Sequence, residues 1–301
     1  MKYLTTVVMA ALAGFFARWY MLRRDYRQYP SYPQGWAIHL FLGFIGGLIG
    51  AIIVPSFMEQ EFSAISFLLL AASQFREVRS AERTTLEAVE TSEMVPRGSA
   101  YIEGIARVFE ARNYLAIWVS LAVAITSELL AHSFLPFRLA GGAAVACGAA
   151  FILNHLMQGD YVGDIAQVEL VDLSFEGPLL VVEGIQMMNV GLKQAREVYE
   201  ERGLAAVIAP HGPNTKATLA NLGQMQAIAH DVSAMLGIYM DVGEQEFTPL
   251  VRRDPSTGKL VLVMIPSAQE PEAFIEAIKR VPVLEGAVRK PLTSKPGQMM
   301  D

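Results

Sequence analysis

The sequence predicts a membrane α-helical bundle of about five spans followed by a cytoplasmic α/β domain. Three observations carry that reading. The 301 residues are 52% hydrophobic, and the excess sits in five apolar runs before residue 158. Charge divides at the same place: residues 1–157 hold 12 basic and 11 acidic side chains, residues 158–301 hold 12 and 19. Beyond residue 158, short apolar runs alternate with helical patterns and turn residues, as an α/β domain requires.

A crossing helix needs roughly 20 mostly apolar residues. The runs at 3–22, 36–57, 114–134 and 137–157 qualify. The run at 62–75 is short and rests on charge. Arg23, Arg24 and Arg27 follow the first run, and Arg76, Arg79, Arg83, Arg97, Arg107 and Arg112 lie between the third and fourth. Both basic loops share a side only if 62–75 crosses, which sets the N-terminus outside and the C-terminal domain in the cytoplasm. Ala11-Leu12-Ala13 resembles a signal-peptidase site, but the apolar run continues past it, so the first run is expected to stay as a span. The expected domains are therefore 1–157, with a cytoplasmic helical loop at 76–113, and 158–293, with a disordered tail at 294–301.

Within the spans, Gly43 and Gly47 are four apart, as are Gly46 and Gly50. Small residues let backbones approach closely in lipid. Gly141, Gly142, Ala146 and Ala149 form a similar stripe. The second and fifth spans are expected to pack together there, or to form a self-association seam. Arg18 is expected to snorkel to the inner boundary, with His39, Asn154 and His155 near the same side. Glu128 is the one acidic residue inside a run. A carboxylate at that depth is a functional candidate by default, and Arg138 is its expected partner.

The 76–113 segment reads as a charged helix, a break at Pro96-Arg97-Gly98, and a new helix capped by Ser99. That helix opens with Tyr101-Ile102-Glu103-Gly104-Ile105-Ala106. This string matches the signature of the YIEGIA family, and the chain resembles those membrane proteins of endospore-forming bacteria in length and hydropathy layout. The resemblance implies a link to sporulation or spore envelope assembly and supplies no reaction, substrate or catalytic residue. Gly104 costs roughly 1 kcal/mol in a helix relative to Ala. The hexapeptide is read as a docking elbow between membrane helices and the α/β domain, beside the plainer reading of a surface helix.

In the C-terminal region, strands are expected at 167–175, 179–182, 205–209, 238–240, 247–253, 259–265 and 283–288. Helices are expected from a cap at Asn189 to Arg202, from Thr215 to Leu236, and at 271–281. Asp254–Gly258 has hairpin composition. The loop His211-Gly212-Pro213-Asn214 leads to a helix start with Thr215 and Lys216. Helix N-termini favour anions, so His211, Gly212, Asn214, Thr215 and Lys216 form the candidate ligand site, against the reading that Asn214 or Thr215 merely caps the helix. His230 and Asp231 are adjacent and point about 100° apart on a helix, which disfavours a shared metal. Gln226, His230 and Gly223 share a face that suits a contact with the membrane half or another subunit.

One cysteine, Cys147, excludes an intrachain disulfide. No metal site, cofactor or catalytic residue is expected. The acidic C-terminal region disfavours nucleic acid. The expected partners are the lipid bilayer and proteins, or a second copy of the chain in the membrane. The leading expectation is an integral membrane scaffold or interaction protein. The alternatives are a small-molecule or anion sensor, or a transport-associated protein, with its site at 210–216, and a membrane enzyme using His211 or His230.

Overall fold

The computed structural model describes residues 3–25, 33–90, 93–157, 159–239 and 247–299. Two compact units form, one from 1–84 and 105–158, the other from 85–104 and 159–301. The boundary expected after 157 falls after 158, and residues 85–104, expected with the membrane half, group with the α/β unit. Arg27 and Met240 lie outside the described residues, as does the side chain of Asn154.

The first unit contains α1 (Leu4–Asp25), α2 (Pro33–Met58), α3 (Phe62–Ser73), α4 (Phe75–Glu90), α5 (Ser99–Leu129) and α6 (Leu135–Leu156). The last residues of α4 and the first six of α5 belong to the second unit. Four helices are long and apolar enough to cross a membrane: Leu4–Arg23, Gly35–Met58, Ser99–Leu129 and Leu135–Leu153. The expected single span at 62–75 is corrected. The helix breaks at Gln74, and the 12 residues of α3 reach about 18 Å, against roughly 30 Å of hydrocarbon.

Side-chain contacts give the bundle two ends. At one end the Tyr3 hydroxyl donates to Glu59 (2.7 Å) and Arg138 meets Glu128 (2.8 Å). At the other end Arg18 meets His39 (3.3 Å), His39 faces Glu82 (3.9 Å) and Arg79 pairs with Glu110 (3.1 Å). The third passage between these ends is made by α3 and the first half of α4 together. Phe75, just past the break, is buried with Ile49 and Ile117, which ties this jointed passage to α2 and α5.

The glycines of α2 lie where backbones approach. A Cβ on Gly47 would stand 2.7 Å from the Ala11 carbonyl oxygen, and one on Gly50 would stand 2.4 Å from that of Ile117. A Cβ on Gly43 would strike the stem of Arg18, and one on Gly46 would come within 3.2 Å of the Asn113 carbonyl oxygen. The neighbours of this stripe are α1 and α5, not α6 as expected. Gly141 and Gly142 instead face Leu130 and Met9.

The second unit continues with α7 (Val162–Ile165), β1 (Ala166–Val171), β2 (Leu173–Glu176), β3 (Leu179–Val182), β4 (Ile185–Asn189), α8 (Lys193–Arg202), β5 (Leu204–Pro210), α9 (Pro213–Leu219), α10 (Leu222–Leu236), β6 (Leu250–Arg253), β7 (Leu260–Met264) and α11 (Pro271–Lys279). Two antiparallel sheets form, one in the order β1-β5-β7-β6 and one in the order β2-β3-β4. Ala205, Val207, Val261 and Val263 of the larger sheet share a core with Leu180, Val182, Met187 and Tyr199. Their strand neighbours Ala206, Ile208, Leu260 and Leu262 are also buried and, by the alternation of a strand, face the other way. Helices α9, α10 and α11 pack on the sheet. Strands β5 and β7 read as unbroken apolar runs because both faces are covered.

Several expected elements change. The strand at 167–175 divides at Asp172 into β1 and β2, which join different sheets. Asn189 ends β4 and does not cap α8, whose cap is Leu192. The hairpin β3–β4 was missed: Glu183 and Gly184 both have positive φ (51° and 74°), the geometry of a tight two-residue turn. The helix at 215–236 is two helices, with Asn221 accepting from the Gln224 N–H to cap α10. Ile238 makes only an isolated bridge with Pro266. The strand expected at 283–288 is a 3₁₀ turn, Glu285–Ala287. In the tail expected to be disordered, Lys295–Gln298 forms a helical turn.

Candidate functional site

The signature hexapeptide is mostly buried. Tyr101, Ile102, Ile105 and Ala106 are 1% exposed or less, while Glu103 and Gly104 are half-buried. Gly98 precedes α5 with φ +83°, which glycine tolerates and which leaves no side chain to cap the helix. The cap comes from α10 instead. The Gln226 side-chain oxygen accepts from the N–H groups of Ala100 (3.1 Å) and Tyr101 (3.0 Å), two of the donors that a helix start leaves unpaired. A Cβ on Gly98 would lie 2.3 Å from the Gln226 amide nitrogen, and one on Gly223 would lie 2.9 Å from the Ala100 carbonyl oxygen. Both glycines thus allow the segment to lie close on α10.

Three further contacts fix the seat. The Tyr101 hydroxyl donates to Asp231 at 3.1 Å. The His230 Nδ1 meets the Val95 carbonyl oxygen at 2.8 Å, so this nitrogen carries the proton. The His230 ring also stands edge-on to Tyr101, with centroids 6.1 Å apart. Glu90 accepts from the Gly98 N–H (2.8 Å), and Glu93 pairs with Arg97 (2.5 Å). Burial raises the Asp231 carboxyl to about 6, opposed by the Tyr101 hydrogen bond and Arg97. Burial lowers His230 below its ordinary value. Both shifts disfavour charge at the seat.

The polar face of Gly223, Gln226 and His230 was visible in the sequence, without its partner. The sequence gives Asp231 only the metal or hydrolase reading that its place beside His230 invites, and no part in this face. A carboxylate next to His230 on α10, in reach of a tyrosine hydroxyl, was the overlooked signal. Gly104 has the Leu284 side chain 3.7 Å from its Cβ position. The Gln224 amide braces that stretch by donating to the Pro282 carbonyl (3.1 Å) and accepting from the Leu284 N–H (2.7 Å).

The 210–216 loop is organised around its own chain. Lys216 donates to the Ser256 carbonyl (2.9 Å), and its stem covers Gly258. Asn214 accepts from the Leu292 N–H (3.2 Å), and Thr215 bonds both the N–H and the carbonyl of Gly212 (2.9 Å each). His211 is exposed. The expected long helix dipole is replaced by that of a seven-residue helix, and the ammonium is spent on the hairpin loop. Thr215 acts as the cap, which favours the plainer reading of this loop.

In the bundle, Glu128 meets Arg138 at 2.8 Å, and Thr6 and Ser127 complete the cluster. Arg18 does not snorkel: it is fully buried, 5.4 Å from the centre of the Phe109 ring. No group of three or more metal-binding side chains occurs among the described residues.

Four helices long and apolar enough to cross a membrane and an α/β unit that includes the seated residues Tyr101–Gly104 define the class: a multi-helix membrane-type protein with an α/β domain. The chain matches YIEGIA protein over residues 6–294 and belongs to that family. It is 44% identical over 290 residues to "Uncharacterized protein YphB" of Bacillus subtilis (strain 168), covering 96% of this chain and 95% of that relative. No solved structure matches it.

Proposed function

We propose that this chain is an integral membrane scaffold or interaction protein of sporulation or spore envelope assembly, whose signature segment fastens the α/β domain to the helix that continues into the bundle. The observation that carries this reading is the use of the hexapeptide. Its large side chains are buried and its first amides are capped by Gln226. Such a motif holds parts together and presents no open reactive surface.

In this reading the chain crosses the membrane five times, with the N-terminus outside and the α/β domain in the cytoplasm. Support comes from the jointed third passage, which returns the chain to the end near His39. Arg23, Arg76, Arg79, Arg107 and Arg112 gather toward that end, Arg76 and Arg79 in the α4 part of the third passage and Arg107 and Arg112 in the early turns of α5, and a surplus of arginine marks the cytoplasmic side. The sporulation link rests on the family resemblance. Deleting the gene of the Bacillus subtilis relative and restoring it with this chain tests the whole. Heat-resistant spore yield should fall on deletion, recover with the wild-type chain, and fail to recover with Tyr101→Ala at equal protein level. Normal spore yield in the deletion strain would overturn the sporulation assignment. Full rescue by Tyr101→Ala would overturn the role given to the motif.

A further inference from the structure

A pocket of about 330 Å³ opens beside the motif seat, between residues 93–97 and the C-terminal turns of α10. That volume is at the lower end of the range for small-molecule sites. Met94, Ala234 and Ile238 supply apolar wall, and Glu93, Arg97 and His230 supply its polar groups. Met94 is 56% exposed, a large flexible side chain left without cover at the edge of the pocket.

The polar groups are unevenly satisfied. Glu93 gives Oε1 to Arg97, but its Oε2 is shielded from solvent, lies 3.9 Å from His230 Nδ1 and has no hydrogen-bond partner among the described residues. A buried carboxylate oxygen with no donor is costly and calls for a missing partner. His230 Nδ1 is committed to the Val95 carbonyl, 2.8 Å away, so its Nε2 is left as an acceptor. The one cation lining the pocket, Arg97, is already matched by Glu93, and Glu90 adds a second carboxylate to the field at His230. The lining therefore offers acceptors and net negative charge beside an apolar wall.

We propose that this pocket binds a small organic amine, its ammonium donating to Glu93 and His230 and its alkyl part lying against Met94, Ala234 and Ile238. The two walls come from the motif-bearing segment and from α10. A ligand bound to both stabilises the seated segment by mass action. The site thus couples an amine to the attachment described under the proposed function, and it rests on that attachment. The amine can be a free metabolite-sized molecule or the headgroup of an aminophospholipid, which share the chemistry.

Hydrogen exchange of residues 93–104 tests this in the full chain, reconstituted in nanodiscs of phosphatidylcholine at pH 7.5. Butylamine, butanol and butanoate serve as probes of one alkyl length. Butylamine should slow exchange saturably, several-fold or more, while butanol and butanoate leave it unchanged. Glu93→Gln should abolish the amine effect. Met94→Trp, which fills the pocket and leaves the Glu93–Arg97 pair intact, should abolish it too. Protection that appears in nanodiscs containing phosphatidylethanolamine, without added amine, assigns the headgroup as the source. Protection only with butylamine assigns a soluble amine. Equal protection by butanol, an amine effect that survives Glu93→Gln, or no probe effect beside strong basal protection would overturn the pocket assignment and leave the attachment standing. Absent basal protection would instead remove the attachment itself.

Discussion

The two units are built in opposite senses. In the bundle, large apolar side chains lie outside: Phe67 is 73% exposed, Phe151 75%, and α3 buries none of its residues. Thr6, Arg18, Asn113 and Ser120 are fully buried there. In the α/β unit every residue of β7 is buried and apolar, and the charged residues of α11 face outward or lie half-exposed. In the membrane placement proposed above, each unit turns its outer face to a different solvent. For a bundle in lipid, burying apolar area gains little, because lipid is as apolar as leucine, so close packing and polar contacts hold it. For the α/β unit, removing apolar surface from water is the main drive.

That contrast is broken most severely at the glycines of α2. Gly50→Leu should prevent recovery of folded chain, because its Cβ already falls 2.4 Å from a backbone oxygen and backbone cannot yield as a side chain can. Size-exclusion profiles in mild detergent check this, and a normal monodisperse profile would mean the α2–α5 contact is absent. Next in size is Arg138→Ala, which strands Glu128 among Thr6 and Ser127. Breaking a buried ion pair costs about 3–5 kcal/mol, so the bundle should melt well below wild type. Arg138→Ala combined with Glu128→Gln should recover most of the loss.

How much of this was legible follows the same contrast. The long apolar runs exposed α1, α2, α5 and α6, because hydropathy over some 20 residues is a strong signal. The α2 glycine stripe was visible, but not its partners, since spacing shows a face and not what covers it. Arg18 was misread because a basic residue near a span end usually reaches water, whereas here Phe109 and His39 enclose it. In the α/β unit, β5 and β7 were legible as unbroken apolar runs. The β3–β4 hairpin was not, because Glu183-Gly184 lacks the usual Asn-Gly or Asp-Gly composition. At the seat, the hexapeptide and the face of Gln226 and His230 were both noted, separated by more than 120 residues. Nothing local could join them.

The seat sharpens the contrast on a smaller scale, because it holds polar groups inside the α/β unit. Asp231, raised to about 6, contributes stability that is fully present below its ordinary pH range and is lost as pH rises through about 6. His230, lowered, contributes stability present above its ordinary value and lost as pH falls below it. Between about pH 4 and 6.5 the two oppose each other, so the wild-type seat should change little with pH. Asp231→Asn should leave a seat that weakens as pH falls from 7.5 to about 5, and His230→Gln one that strengthens. The elements packed against the rest of α10, namely α9, α11 and β6, bring Lys216, Glu272, Glu276, Lys279, Arg252 and Arg253, with Arg280 just past α11, none with a hydrogen bond or ion pair to either residue among the described residues. Melting curves across that pH range check the signs, and parallel slopes for both variants would refute the assignment. Smallest of all is Lys216→Ala, which loses one exposed hydrogen bond to Ser256. It should cost less than about 1 kcal/mol and leave spore yield unchanged.

The central claim is that the signature segment is held on α10 by the Gln226 cap, and one substitution tests it. Gln226→Leu keeps most of the side-chain volume and removes the acceptor of the Ala100 and Tyr101 amides. Two shielded N–H groups then lack a partner, a local cost of about 2 kcal/mol or more. Hydrogen exchange of the reconstituted full chain should show peptides covering 98–104 exchanging more than about tenfold faster, with the sheet peptides 204–210 and 260–264 unchanged. Unaltered exchange at 98–104 would contradict the claim, and so would equal acceleration of the sheet, since the side chain would then serve the whole domain and not the seat.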